Sequence, residues 1–323
     1  MGAWVTFGLG TLNQNLPAFV VMLDPRGGPP TDANSWTSGY RPATFQGTCL
    51  RHEGEPILNL QGSKTMTRQM QRSQVDTINA LNTEHQAARP GYSELAARIA
   101  NYELAFQLQT TAPEVTDLSQ ETEATHHLYG LHDKRAGNFG RQCLLARRLV
   151  ERGVRFVQLY SGGNAQQSSW DAHHGVEKNL SKHAPEVDQP IAGLISDFKR
   201  SGLLDETLVI WGGEFGRQPT NENKGPGTQS ERIYHVDGGR PDQRGNQLYG
   251  ETDELGMQAV DNPRHVRDIH ATILHLLGLD HRQRTYFYGG LEQKLTGVQQ
   301  AKVIQELIVW ISQNGCPAPL CFP

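Results

Sequence analysis

Thr207-Leu-Val-Ile-Trp-Gly-Gly-Glu-Phe-Gly-Arg217 is the stretch whose reading decides the fold. Four β-favouring residues run into two glycines, and an acidic residue follows where the strand should end. A buried parallel strand reads as such a short apolar run, and Gly212-Gly213 lets backbone or ligand approach closely. In open α/β sheets ligands bind beyond the carboxyl ends of the strands, which is where Glu214 would sit. The plainer alternative is a strand followed by a glycine turn, with Glu214 merely solvated.

Working upstream, Ile191, Leu194, Ile195 and Phe198 mark one face of a helix. Before it, Val154-Arg-Phe-Val-Gln-Leu-Tyr160 alternates like a strand and leads into Ser161-Gly162-Gly163 and then Trp170-Asp171-Ala172-His173-His174. A further helix is expected over Asn138–Arg152, with Phe139, Cys143, Ala146 and Val150 inward and Gly153 closing it. Helix, strand, helix, strand at this spacing is a βαβ signature and implies a parallel sheet. Asp171 and His173 then fall on the same sheet edge as Glu214. Asp, His and Glu suit Zn, Mn, Mg or Ca according to geometry, although loop residues of these types also hydrogen-bond the backbone.

The remaining elements frame that core. Ala18-Phe-Val-Val-Met-Leu23 is a strand candidate, and Asp24 after it is either a ligand or a turn former before Pro25. Ser93–Phe106 places Leu95, Ile99, Tyr102 and Phe106 on one helical face. His265–Gly278 reads as a helix with Asp268 near its start, in a cap or, with His270, a ligand role. A last helix is expected over Val298–Ile311, with Val303, Leu307 and Trp310 inward. Cys143 reads as a core residue; Cys316 and Cys321 lie in a Pro-rich tail, where they could also bridge or bind metal.

Composition excludes several classes. A net charge of −4 with mixed signs gives no electrostatic footprint for nucleic acid or for a membrane surface. No apolar run reaches the roughly 18 residues of a membrane span, and no signal peptide follows Met1. With 34 Gly and 17 Pro in 323 residues, long irregular segments beside a compact core are expected. There is no internal repeat, P-loop, nucleotide fingerprint or Ser-centred elbow.

Longer motifs carry a family resemblance. Gly8-Leu-Gly-Thr-Leu-Asn-Gln-Asn-Leu-Pro17, Glu94–Phe106, Phe139–Leu159, Trp170-Asp-Ala-His173, Trp211–Arg217 and Tyr249-Gly-Glu-Thr-Asp-Glu-Leu-Gly256 together resemble the DUF1501 family of bacterial proteins. That family is similar to the sulfatase and alkaline-phosphatase superfamily. The resemblance implies an α/β fold, a mostly parallel sheet flanked by helices, alkaline-phosphatase-like but incomplete. It implies a single domain over residues 1–313 with an irregular tail at 314–323. It also implies a hydrolase of small sulfate or phosphate esters that uses a divalent metal (Zn, Mn or Ca). Asp171, His173 and Glu214 are then metal ligands, and Arg217 contacts the anionic group, although a surface Arg after a turn is an equal reading.

Two departures shape the expectation. Family members begin upstream of Met1, with an export signal, a first core strand and a Gly-Gly-x-x-His-x-Asp-like loop. This chain is therefore expected to lack a central strand and part of the site, and to be cytoplasmic as given although the family is exported. After Arg217 the family's Gly-Arg-Asp-His-Asn-Pro segment and its following strand are replaced by Gly227–Leu248, expected to be a loop without a strand. A shifted reading frame accounts for this: Tyr234–Gln247, read one base later, can give a family-like Ile-Met-Trp-Met-Ala-Gly-Gly text. His235 and Asp237 are then accidental ligand look-alikes. The rival expectation is a non-catalytic binding module or an inactive remnant of the family.

Overall fold

The computed structural model describes residues 1–51, 65–89, 93–163, 170, 175–213, 234–238, 249–255 and 257–312. Its centre is strand β1 (Phe19–Met22), four consecutive buried apolar residues. β1 pairs in parallel with β2 (Thr48–Leu50) on one side and β3 (Phe156–Leu159) on the other, with Val20 opposite both Thr48 and Val157. A parallel strand covered on both faces must be apolar throughout, and this one is.

Helices supply the cover. In chain order they are α1 (Gly2–Leu9), α2 (Arg68–Ala87), α3 (Ser93–Thr116), α4 (Glu123–Leu128), α5 (Gly137–Glu151), α6 (Val176–Ser201), α7 (Val266–Leu276) and α8 (Gln305–Ser312). Val20 and Met22 face a core built from Leu108 and Val115 of α3, Cys143, Leu144 and Leu149 of α5, and Leu194 and Phe198 of α6. On the opposite side Phe156 joins Val5 of α1, Leu274 of α7 and Leu279 in a smaller cluster. Alternation along a strand explains why Phe156 and Val157 serve different clusters.

The fold class is α/β, with a three-stranded parallel sheet between helical layers. Helices α5 and α7 and strands β1 and β3 lie within a few residues of their expected positions, α6 contains the expected face over residues 191–198, and Cys143 is buried as expected. One α3 assignment and one α8 boundary need correction. Tyr102 is exposed while Leu95 is buried, so the apolar face of α3 is narrower than its spacing suggested. Helix α8 starts at Gln305 because the preceding segment spends its amides on α7. Lys302 N donates to Asp268 Oδ1 at 2.8 Å and Ile304 N to Thr272 Oγ1 at 2.9 Å.

The larger correction concerns the 207–217 stretch. Strand β4 (Leu208–Gly212) forms in place, but it pairs antiparallel with β5 (Tyr234–Gly238) in a two-stranded ribbon, outside the parallel sheet. Ile210 and Trp211 are exposed, so β4 is not the buried parallel strand its composition implied. Gly227–Leu248 likewise contains a strand where a loop was expected, because Tyr234 and Val236 have strand propensity and Gly212 lies opposite Tyr234. Two further antiparallel pairs, β6 (Glu251–Thr252) with β7 (Ala259–Asp261) and β8 (Tyr286–Tyr288) with β9 (Leu291–Gln293), complete the described strands. No helix among the described residues is long and apolar enough to cross a membrane.

Candidate functional site

The chain leaves β1 through Leu23, whose carbonyl accepts from Gln142 Nε2 of α5 at 2.8 Å. It turns at once: Gly27 N donates to Asp24 O at 3.0 Å, and Gly27 takes a φ of 126°, which favours glycine. The buried carboxylate of Asp24 then lies at the carboxyl edge of the sheet. Its Oδ1 accepts from Arg26 N and Arg26 Nε, and its Oδ2 from Arg26 Nη2 and Gly162 N, all at 2.8 Å. Burial opposes the charge, but the Arg26 guanidinium and the two amides outweigh it and hold the carboxyl below its ordinary range. Gly162 lies just past β3, so one carboxylate ties the ends of two adjacent strands together.

Arg26 extends the cluster to α6. Its Nη2 donates to Glu186 Oε2 at 2.8 Å, and its Nη1 to Glu186 Oε1 at 3.3 Å. His183, fully buried on the same helix, places Nδ1 3.0 Å from Glu186 Oε2 and 3.2 Å from Arg26 Nη1. A carboxylate can only accept and lies nearer than the guanidinium, so Nδ1 is assigned the proton and donates to Glu186, and the Arg26 Nη1 contact is then not a hydrogen bond. Nε2 then carries a lone pair, and it is buried without a hydrogen-bond partner among the described residues. The Trp170 ring lies 5.5 Å from the His183 ring, while its indole N–H donates to Ser161 Oγ at 3.2 Å.

Charge decides what this cluster can accept. Among the described residues two carboxylates, Asp24 and Glu186, share the guanidinium of Arg26 beside the His183 imidazole. A cation is favoured there over a bare anion. All four lone-pair sites of Asp24 are already used, so the unspent donor is His183 Nε2.

Residues 1–308 match the protein family described as "Protein of unknown function (DUF1501)". The chain belongs to the DUF1501 family. No curated protein and no solved structure matches it.

The DUF1501 motif residues Asp171, His173, Glu214 and Arg217 lie outside the described residues, as do Cys316 and Cys321. Their described neighbours differ in placement. Trp170, which precedes Asp171, is at the carboxyl edge beside His183. Gly213, which precedes Glu214, follows a strand of the separate β4–β5 ribbon, so the shared-edge argument for Glu214 loses its basis. In β5 the backbone pairs His235 with Trp211 and Asp237 with Val209. Asp268 is a cap: its Oδ2 accepts from His265 N at 3.0 Å, and His265 Nδ1 from Arg267 N at 3.1 Å. Sequence reasoning weighed Asp24 but missed Arg26, His183 and Glu186. The available signal was His183-x-x-Glu186, one helical turn apart on the helix that follows β3.

Proposed function

We propose that this DUF1501 chain is a metal-dependent hydrolase of sulfate or phosphate esters, centred at the carboxyl edge of the β2-β1-β3 sheet. One observation carries the reading. His183 has Nδ1 held by a carboxylate and a buried Nε2 with nothing to bond among the described residues. A histidine oriented through one nitrogen by a carboxylate is the usual arrangement of a metal ligand. The imidazole donor fits a borderline divalent ion such as Zn or Mn better than Ca.

In this reading His183 would hold the ion together with Asp171 and His173, and Glu214 joins them on the DUF1501 motif alone. A bound divalent ion supplies charge stabilisation on the ester oxygens and lowers the pKa of water. Glu186 fixes the imidazole tautomer and ring angle, and Arg26 fixes Glu186. Asp24 holds the Gly162 turn, and Trp170 packs beside His183 to limit water. Arg217 is the proposed bidentate partner of the ester's anionic group. The alkaline-phosphatase-like lineage of the fold belongs to the same proposal.

A second reading, a non-catalytic binding module, gains from two observations. Asp24 has no lone pair to spare, and β4 lies outside the parallel sheet that was to bring Glu214 to the edge. Residues 227–248, read as frame-shifted, would support it further; codons incompatible with the family-like frame would remove that support.

The test is turnover of 4-nitrophenyl sulfate and 4-nitrophenyl phosphate by the full chain, stripped with chelator and reloaded with Zn, Mn or Ca. Metal-restored turnover that His183→Gln abolishes supports the hydrolase. Turnover absent under every loading favours the binding module.

A further inference from the structure

We infer that Glu123, His127 and His132 form a second divalent-cation site, of the class filled by Zn, on the surface around α4. The inference stands independently of the hydrolase reading. It begins with local structure. Thr122 caps α4 by accepting from Thr125 N at 3.2 Å, and Glu123 and His127 share a helical face at i,i+4 spacing. The helix then ends in a paired C-terminal motif: Gly130 N donates to His127 O at 3.1 Å and Leu131 N to His126 O at 3.0 Å. Gly130 adopts a φ of 69°, as that left-handed closure requires.

This closure returns the chain over the helix, and the core fixes it. Tyr129 is fully buried, with its hydroxyl donating to Asp197 Oδ2 at 2.9 Å, and Leu131, half-buried, packs against the same core. His132 is thereby delivered to the face that carries Glu123 and His127. Glu123 Oε1 lies 2.8 Å from His132 Nε2 and 3.3 Å from His127 Nε2, and the three ligand atoms are all within 4.8 Å of one another. Donors around a tetrahedral ion with bonds of 2.0–2.1 Å are about 3.3 Å apart, so small side-chain rotations close the set.

His126 lies next to the set without belonging to it. Its Nε2 is 2.9 Å from Leu118 O, a carbonyl that can only accept, so that nitrogen carries the hydrogen. In the neutral ring Nδ1 is then a bare lone pair, and it faces Glu123 Oε2 at 3.6 Å. Two acceptors facing one another need a proton or a metal cation between them. Imidazole nitrogens with one carboxylate select Zn-class ions over Ca or Mg, which require oxygen donors. The rival is a protonated-histidine ion pair at the surface, which contributes little.

Glu123, His127 and His132 expose 67%, 70% and 52% of their side chains, so alanine there leaves the core intact. The experiment is calorimetric Zn titration of the metal-stripped full chain, its His132→Ala and His127→Ala variants, and each again in a His183→Gln background. One equivalent should disappear, or weaken more than about tenfold, in each surface variant whether or not His183 is present. Circular dichroism should show all variants folded. Equal stoichiometry and affinity with and without His127 and His132 would overturn the inference. Loss of Zn only with His183→Gln would overturn it too, while leaving the hydrolase reading standing.

Discussion

His183 and Glu186 sit one helical turn apart on α6, 3.0 Å from Nδ1 to Oε2, with Pro185 between them. The proline has no amide hydrogen, so the helix carries a gap in its own ladder at the turn that holds the pair. Orientation therefore comes from side chains: Arg26 fixes Glu186, and Glu186 fixes His183.

Glu186→Gln should keep the hydrogen bond to His183 Nδ1 while removing the charge that orients and polarises the ring. Metal affinity is expected to fall about 10–100-fold, the range for outer-shell partners of a ligating histidine, with the fold intact. Competition against a metallochromic dye measures this; an unchanged constant would remove Glu186 from the site.

Gly163→Ala should disturb the same edge. A Cβ there would lie 2.5 Å from Arg26 Cβ and 2.7 Å from Arg26 O, and the backbone cannot yield cheaply. Overpacking of this kind costs about 1–3 kcal/mol. Urea unfolding should show that loss, whereas Gly278→Ser, which meets open space but a strained φ of 77°, should leave metal affinity unchanged.

Glu121 governs part of the acid limb. It pairs with Arg148, and with Arg147 at 2.6 Å, while Arg148 Nε donates to Val115 O at 2.7 Å, tying α5 to α3. Burial opposes the Glu121 charge, but the two guanidinium groups hold its carboxyl below the ordinary 4.5. A folded-state value below the unfolded one means the native state binds fewer protons. The contribution is therefore complete above about pH 4.5 and is lost as pH falls through the depressed folded value. Glu121→Gln should destabilise by about 3 kcal/mol at neutral pH, since it leaves buried Arg148 without its carboxylate. Its unfolding free energy should also fall less steeply below pH 4.5 than that of the parent; parallel acid limbs would contradict the assignment.

Much of this fold is written in apolar spacing. The run Phe19–Met22 announces a covered parallel strand, and the repeats through Cys143 and through Leu194 announce α5 and α6, because burial on one face needs that periodicity. The partner of β4 is not written there. Leu208–Trp211 records strand propensity, but pairing to β5 depends on a segment more than twenty residues downstream. The candidate site divides the same way. Asp24 is legible as a residue at a strand end, whereas His183 and Glu186 resemble any solvated helical pair until Arg26, 157 residues earlier than His183, folds against them.

The most direct measurement is the metal content of the purified full chain after reloading with Zn, Mn or Ca, for the parent, His183→Gln and Glu214→Ala, all in a His132→Ala background. One equivalent in the parent that both variants lose is the expected result, placing His183 and Glu214 at one metal centre. Equal metal in all three chains, or none in any, would contradict a metal-dependent hydrolase at the carboxyl edge of the sheet.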